Sequence, residues 1–252
     1  MNILVLAAEY PPKMHGGLAN YSHNIAKNLA KTNNVRVAAL PNYLRSERWG
    51  GSNLYFIYDV VREIDRLKKE RKDVVVYAIA FRPEFSIIGA YAKMVGVPFI
   101  CHGVGLDIYT LHPAFIFARR LAYSLCDELI CGASFQKKII ANQGCSAEKI
   151  HVILGGVDTE MFKPLYNERG KLRKLFNVQN MFVLLSLGRL IKRKGFDDAI
   201  KALTHLQDIE NICLLIVGEG PEKPTLIKLT KALHLENKVR FLGFVPSNTL
   251  PH

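Results

Sequence analysis

No apolar stretch in the sequence is long enough to cross a bilayer as a helix, which takes about 20 residues. The most apolar candidate, residues 74–81, is followed directly by Arg82, Pro83 and Glu84. Residues 1–6 have neither a basic start nor a cleavage site, so they predict a first strand and not a signal peptide. These absences argue against a membrane-spanning protein, and we expect the chain to be cytoplasmic.

Cysteine is scarce, and its spacing fits neither a disulfide framework nor a zinc site. The chain has 5 cysteines, an odd number, and none stands in a C-x-x-C pattern. Cys101, Cys131 and Cys213 lie in or beside apolar strand-like runs, so we expect them to be reduced thiols of the core.

Acidic residues are outnumbered, since 34 Lys and Arg against 22 Asp and Glu give a formal net charge of +12. The excess is spread over the chain, with 19 basic against 12 acidic residues in 1–150 and 15 against 10 in 151–252. No basic tail and no nucleic-acid-binding motif is present, so we expect no nucleic-acid partner. The charge favours anionic ligands or anionic lipid instead.

Apolar strand-like runs alternate with helical patterns from the first residue. In the first part of the chain these runs are 3–8, 35–40, 74–79, 99–101, 128–131 and 151–154. Continuous apolar strands joined by helices are typical of a parallel sheet that is covered on both faces. The alternation therefore predicts an α/β fold.

The pattern is interrupted at Gly155-Gly156-Val157-Asp158 and then restarts with strand-like runs 182–187, 213–217 and 239–242. We predict two domains, residues 1–163 and 164–252. The second has three strands, fewer than the five or six that are usual for a sheet of this kind.

A basic loop follows the apolar run 181–187, which we interpret as a buried strand. The run breaks at Gly188, and Arg189 and Lys194 precede a helical pattern that opens at Gly195. In an open α/β sheet, strand ends, unpaired N–H groups and the helix dipole converge at this point on an anionic ligand. Arg189 offers a planar fork to phosphate oxygens and Lys194 a point charge. The loop indicates a diphosphate site; the alternative is a solvated basic turn.

Three glycine-rich loops invite comparison with dinucleotide-binding motifs. The loops that begin at Gly103 and Gly218 follow strands but lack the third glycine, and Gly16-Gly17 lacks the G-x-G spacing. A nicotinamide cofactor is therefore not expected. Gly16 and Gly17 suggest close approach of a ligand to the first helix, and the alternative is a plain tight turn.

Six motifs follow one another along essentially the whole chain. They are Glu9-Tyr10-Pro11-Pro12 with Gly16-Gly17, His102-Gly103 with Asp107, Gly156-Val157-Asp158 with Phe162 and Pro164, Gly188-Arg189-Leu190 with Lys194-Gly195, Val217-Gly218-Glu219-Gly220-Pro221, and Phe241-Leu242-Gly243-Phe244-Val245. As an ordered set they resemble the family 4 glycosyltransferases. The resemblance implies two Rossmann-like parallel-sheet domains that face a cleft, the GT-B architecture, with the second domain incomplete here.

The resemblance also implies an activity, the transfer of a sugar from a nucleotide-diphosphate sugar to an acceptor with retention of configuration. The acceptor is a glycan, a lipid-linked or a small molecule, in synthesis of cell-surface polysaccharide or glycolipid. Attack on the same face of the sugar is favoured, and no carboxylate pair of the hydrolase kind stands out. Neither a cofactor nor a metal is expected, because no carboxylate pair is placed to hold a divalent cation.

Site residues carry over by position. In the second domain, Arg189 and Lys194, with Gly188 beside them, resemble the residues that hold the donor diphosphate and stabilise the charge that grows on the leaving group. Nearby, a further segment resembles the one that lines the nucleotide base: Gly243, Phe244 and Val245.

In the first domain, Gly16 and Gly17 resemble the loop that approaches donor and acceptor. His102 resembles the cleft histidine that contacts the transferred sugar; the alternative is a hydrogen-bonded histidine at a strand end. Asp107 either binds acceptor hydroxyls or caps the helix that starts near Tyr109.

Two departures from the family pattern are evident. Gly155 replaces the usual linker asparagine, and the acidic E-x(7)-E segment with which the family binds the donor, beyond the strand that matches run 239–242, is not found after that run. We therefore expect the chain alone to be poorly active and its second sheet to expose an unpaired edge. The alternative is a non-catalytic or partner-dependent nucleotide-sugar-binding subunit.

Two segments could contact the inner face of the membrane. Basic residues crowd the end of segment 57–70, and segment 115–121 places Phe115 and Phe117 beside Arg119 and Arg120. We favour a solvated charged face and a core-packing helix, because neither segment has an apolar face that core packing leaves unexplained. Peripheral membrane contact gains weight if the acceptor is lipid-linked.

Overall fold

The computed structural model of the chain has two compact units, Met1–Gly156 and Val157–His252. The structure describes residues 1–12, 16–40, 51–70, 73–164, 166, 169–206 and 208–246. The division between 163 and 164 lies just beyond the boundary between these units, and as a statement about domains it stays a prediction.

The first unit is built on a six-stranded sheet in which all paired strands are parallel. Its strands are β1 (Asn2–Ala7), β2 (Asn34–Ala39), β3 (Val74–Ile79), β4 (Phe99–Gly103), β5 (Glu128–Cys131) and β6 (Ile150–Val152), in the spatial order β2-β1-β3-β4-β5-β6. Between them lie α1 (Gly17–Leu29), α2 (Gly51–Lys69), α3 (Pro83–Met94), α4 (Leu106–Tyr109), α5 (Pro113–Leu125) and α6 (Ser134–Asn142). The predicted parallel α/β fold is confirmed.

Helices cover this sheet on both faces, which explains the continuous apolar strands. Along β1, Leu4 and Leu6 join the core beneath α2, α3 and α5, whereas Ile3 and Val5 pack on the opposite side. The second core lies against α1, and Tyr21 of that helix packs on it. Successive side chains of a strand point to opposite faces, so each strand serves both cores.

The second unit has a three-stranded parallel sheet, ordered β7-β8-β9. Its elements are α7 (Arg169–Leu175), β7 (Phe182–Leu187), α8 (Phe196–Ala202), β8 (Ile212–Val217), α9 (Lys223–Ala232) and β9 (Val239–Gly243). Every residue of β8 is buried, and α8 and α9 pack against one face of the sheet through Phe196, Ile200 and Leu226.

The interpretation of residues 181–187 as a buried strand is wrong. Among the described strands β7 pairs only with β8, and its side chains Phe182, Leu185 and Leu187 are 67%, 63% and 54% exposed. An apolar run predicts a strand but does not distinguish a central strand from one at the edge of a sheet.

The five cysteines are free and buried, as expected for Cys101, Cys131 and Cys213. Within the described ranges, no helix combines the length and the apolar character that a membrane crossing needs.

Candidate active site

The glycine pair of the first unit stands at the start of α1, beyond the carboxyl end of β1. Gly16 has φ +151°, a left-handed conformation that favours glycine, and its carbonyl accepts a hydrogen bond from the N–H of Asn20 at 3.0 Å. A Cβ at Gly17 would meet nothing within 4 Å. The space beside Gly17 is therefore open, and the conformational need for glycine rests on Gly16.

His102 lies near the end of β4 and points toward the α1 side of the sheet. Its imidazole is 3% exposed and both nitrogens are hydrogen-bonded to tyrosine hydroxyls. Nδ1 lies 2.6 Å from the hydroxyl of Tyr77 on β3, and Nε2 lies 3.1 Å from the hydroxyl of Tyr21 on α1. The structure thus shows the hydrogen-bonded histidine that we weighed as the alternative, and its contact with a sugar stays a prediction.

Burial sets the charge of this group. Desolvation lowers the pKa of His102 to about 4, and burial raises the pKa of both Tyr77 and Tyr21. All three side chains are therefore neutral near pH 7. A neutral imidazole is suited to hydrogen bonding with a hydroxyl, and it offers no positive charge to a phosphate.

Asp107 lies within α4, and main-chain N–H groups occupy its carboxylate. Oδ2 accepts from Phe81 N at 2.9 Å and Oδ1 from Val104 N at 3.0 Å. Burial raises the pKa of Asp107 to about 6, although the main-chain hydrogen bonds oppose this shift. The carboxylate joins the loop after β4 to the end of β3, and its contact with acceptor hydroxyls stays a prediction.

In the second unit, glycines at the ends of neighbouring strands interlock. A Cβ on Gly218 would lie 1.9 Å from the carbonyl oxygen of Gly188, and a Cβ on Gly220 would lie 2.3 Å from that of Leu190. Gly218 N also donates to Gly243 O at 2.7 Å. The spacing of Gly218 and Gly220 does not match a dinucleotide-binding motif. Glycine is needed at both positions because the main chains of two loops are in direct contact there.

This packing determines where the two candidate cations stand. Leu190 is fully buried, and its N–H donates to Glu219 O at 3.0 Å. Arg189, between that anchor and Gly188, is exposed. Lys194 ends a 3₁₀ turn and is exposed as well, directly before Gly195, whose φ is +66°. Across the described part of the chain, the side chains of Arg189 and Lys194 form no hydrogen bond and no ion pair, and only their main chains are hydrogen-bonded, to Ile191.

Helix α8, which follows this turn, offers less positive potential to an anion than the sequence suggests. The first turn of α8 already holds Asp197 and Asp198, both paired with Lys201 at 2.8 and 3.4 Å. These carboxylates balance the positive end of the helix. Binding of a diphosphate by Arg189 and Lys194 stays a prediction, and it depends on these side chains more than on the end of α8.

The segment predicted to line a base begins at Gly243, whose φ is +77°. A Cβ there would come within 3.2 Å of Oε1 of Glu219, which is paired with Lys223 at 2.6 Å. Phe244 is 72% exposed and Val245 is partly exposed. The structure therefore brings Gly188 and Arg189, after β7, to the same edge of the sheet as Gly243, at the end of β9, with β8 between them. Phe244 and Val245 directly follow Gly243.

Sequence reasoning missed Tyr21 and Tyr77, because no motif marks residues that are 81 and 25 positions from His102. It also missed the reason for Gly218 and Gly220. Within the described residues no three His, Cys, Asp or Glu side chains are grouped so as to hold a metal ion.

Two family profiles match the chain. The family described as Glycosyltransferase Family 4 matches residues 15–161, and Glycosyl transferases group 1 matches residues 168–252. A curated relative is the GDP-mannose-dependent alpha-(1-6)-phosphatidylinositol monomannoside mannosyltransferase of Mycolicibacterium smegmatis. It is 25% identical over 269 residues, an alignment that covers 99% of this chain and 69% of the relative.

Solved structures share the fold. Anabaena HepE in complex with UDP has a TM-score of 0.75 at 22% identity, covering 100% of this chain and 71% of that one. The UDP-GlcNAc 2-epimerase of Neisseria meningitidis, bound to UDP-GlcNAc, has a TM-score of 0.57 at 15% identity, covering 100% and 74%. The lipopolysaccharide outer core galactosyltransferase WaaB also matches, with a TM-score of 0.62 at 18% identity, covering 98% of this chain and 69% of that one. Because a galactosyltransferase and an epimerase share this fold, the fold alone does not identify the reaction. The family match over more than half of the sequence does identify the family, and the chain is a member of the family 4 glycosyltransferases.

Proposed function

We propose that the protein transfers a sugar from a nucleotide-diphosphate sugar to an acceptor with retention of configuration, without a metal or a cofactor. The observation that carries this proposal is the pair of exposed cations, Arg189 and Lys194, on a glycine-packed loop at the strand ends of the second unit. The family membership and the relative that uses GDP-mannose support it. The HepE structure, solved with UDP, supports a nucleotide as ligand.

The chemistry requires cations at this place. When the bond between sugar and phosphate breaks, negative charge grows on the departing nucleoside diphosphate, and fixed positive groups stabilise that charge. Arg189 supplies a forked donor and Lys194 a compact charge. In the proposed reaction the acceptor hydroxyl attacks the anomeric carbon on the face that the phosphate leaves, and its proton passes to the departing phosphate oxygen.

The similar proteins differ in the base of the nucleotide: one is named for GDP-mannose, and another was solved in complex with UDP. The residues proposed to contact the base are Gly243, Phe244 and Val245. Gly16 and Gly17 are proposed to approach donor and acceptor from the first unit. His102 is proposed to contact the transferred sugar, and Asp107 is proposed to bind acceptor hydroxyls.

The test is nucleotide binding and sugar turnover by Arg189→Ala and Lys194→Ala. Losing one charge-assisted contact to a diphosphate costs about 1.5–3 kcal/mol, so affinity for UDP or GDP should fall about 10- to 100-fold. Arg193→Ala is the matched control, because Arg193 is an exposed cation in the same turn that resembles no family site residue.

Equal losses in all three variants would contradict the site, because they would indicate only a general effect of charge. Wild-type protein that binds the nucleotide sugar yet transfers no sugar to any acceptor would favour the alternative, a non-catalytic or partner-dependent subunit.

We also propose a lipid-linked acceptor and peripheral contact with an anionic membrane surface, as a cytoplasmic enzyme of glycolipid or cell-surface polysaccharide synthesis. The relative that acts on a phosphatidylinositol mannoside supports this. So does an apolar rim of exposed side chains at the amino-terminal ends of α2, α3 and α5: Leu54 68%, Tyr55 72%, Ile87 45%, Leu111 83% and Phe117 69%.

Contacts between the helices place this rim in one region. The side chain of Asn53 on α2 donates to Glu84 on α3 at 2.9 Å, and Ser86 on α3 donates to the carbonyl of Ala118 on α5 at 2.9 Å. Helices of a parallel sheet begin at the carboxyl ends of the strands, so the rim lies at the same edge of the sheet as His102.

The rim changes the interpretation of segment 115–121. Core packing accounts for Ala118 and Arg119, which are buried, but leaves Phe117 exposed beside the exposed Arg120. Exposed aromatic and aliphatic side chains next to a cation suit the boundary between headgroups and acyl chains.

A further inference from the structure

The tyrosine pair around His102 has a property that the proposed function does not use. A neutral imidazole has one N–H and one lone pair, so only one of its two tyrosine partners receives a proton from it. The other partner must donate its own hydroxyl proton to the ring. Both hydroxyls can donate or accept, so the tautomer of His102 is decided by which of the two tyrosines donates.

The hydrogen bond at Nδ1 of His102 is shorter than the hydrogen bond at Nε2, and this difference favours one tautomer over the other. O–H donors approach closer than N–H donors, which typically lie 2.7–3.2 Å from the acceptor. The 2.6 Å contact at Nδ1 fits the hydroxyl of Tyr77 as donor, and the 3.1 Å contact at Nε2 fits an imidazole N–H that donates to Tyr21. His102 is then the Nε2–H tautomer.

The surroundings of the two tyrosines differ as well. Tyr77 is 7% exposed and is fixed in β3, whereas Tyr21 is partly exposed on α1, just after Gly16 and Gly17. Gly155 lies beside the Tyr21 ring, and a Cβ added there would be in ordinary van der Waals contact with it, 3.7 Å from Cε2. Tyr21 is therefore the more exposed of the two tyrosines.

The geometry points to Tyr77 and Tyr21 as positioning residues that act through His102. Tyr77 holds the imidazole as the Nε2–H donor, and the Tyr21 hydroxyl accepts that N–H until a hydroxyl of the transferred sugar takes its place. Because His102 is buried, no sugar reaches Nε2 while Tyr21 keeps its position. This inference rests on the proposed function, since the sugar hydroxyl is its ligand.

The first measurement is the ¹⁵N NMR spectrum of the full chain labelled at histidine, with His102→Gln to assign the signal. We expect a protonated Nε2 and an unprotonated Nδ1 in the wild type without substrate, and loss of this single-tautomer pattern in Tyr77→Phe. A wild-type Nδ1–H tautomer would overturn the inference. No substrate is needed, so absence of sugar transfer would count against the proposed function and leave this result unaffected.

The second measurement separates the tyrosines by steady-state kinetics with the nucleotide sugar. Tyr77→Phe should lower kcat about tenfold, because the tautomer is no longer fixed. Tyr21→Phe should lower KM about two- to tenfold, because the sugar no longer displaces a hydroxyl. The matched control is Tyr123→Phe, which removes another buried tyrosine hydroxyl, bonded to Gln143 at 2.8 Å. A Tyr21→Phe variant whose KM equals or exceeds that of the wild type would contradict the role of Tyr21.

Discussion

At the scale of single residues, the chemistry of His102 depends on what surrounds it. A histidine after an apolar strand suggests a binding role, but the sequence does not reveal that Tyr21 and Tyr77 enclose it. Both partners reach the ring because α1, which carries Tyr21, packs on the face of the sheet to which Tyr77 of β3 points. The position of His102 at the end of a strand was predictable from the sequence, whereas its neutral state follows from tertiary structure.

This neutral state predicts a pH dependence of stability. The pKa of His102 is about 4 in the folded chain and about 6.5 in an unfolded one. Between these values the unfolded chain binds a proton that the folded chain does not, so the free energy of unfolding decreases as the pH falls from 6.5 to 4. The loss is of the order of 3 kcal/mol, and His102→Gln should abolish it.

Urea denaturation of the wild type and of His102→Gln at a series of pH values checks this. Asp107 acts in the opposite sense, because its raised pKa lets the folded chain hold a proton that the unfolded chain releases. That contribution is common to both proteins and cancels in the difference. Parallel curves between pH 4 and 6.5 would show that His102 does not contribute.

At the scale of elements, β7 shows what an apolar pattern leaves undecided. The run of apolar residues predicted a strand at the right place, and Gly188 ends it as expected. The pattern did not reveal that Leu185 and Leu187 are exposed, because exposure depends on which strands and helices lie next to β7. The position of Arg189 in the following loop was predictable all the same, because it depends only on its neighbours Gly188 and Leu190.

The exposed strand predicts self-association of this chain. An edge strand with apolar side chains pairs readily with strands of other molecules, and a charge on it opposes that pairing. Leu185→Lys should therefore reduce the concentration-dependent association measured by sedimentation velocity. Leu175→Lys is the control, since Leu175 is 70% exposed at the end of α7 and lies outside the sheet. An equal effect of both changes would indicate general solubility and not strand pairing.

At the scale of the whole molecule, the alternation of apolar runs and the order of the motifs carried most of the prediction. Nine apolar runs predicted nine strands, six of them in the first sheet and three in the second. The order of the motifs identified the family, and the profile matches confirm it. The apolar rim was not predictable, because its residues come from three helices and an adjoining loop that only the folded chain brings together.

The rim predicts binding to anionic vesicles. The double variant Leu111→Asn with Phe117→Asn should co-sediment with phosphatidylglycerol vesicles about tenfold more weakly than the wild type, because two large apolar side chains no longer enter the interface. The control is Met94→Asn, which is 75% exposed at the opposite end of α3. If the double variant binds the vesicles as strongly as the wild type and high salt abolishes the binding, attraction by charge alone would explain it.

The interlocked glycines limit how this enzyme can diverge. A methyl group on Gly218 would collide with the carbonyl of Gly188, so the loop that carries Arg189 and the loop at residue 218 must shift together or not at all. At the proposed donor site, new donor preferences are therefore more accessible through side chains that follow β9, such as Phe244, than through a reshaped loop at Arg189. Relatives that accept different sugar nucleotides should differ in those side chains while their paired turns superimpose.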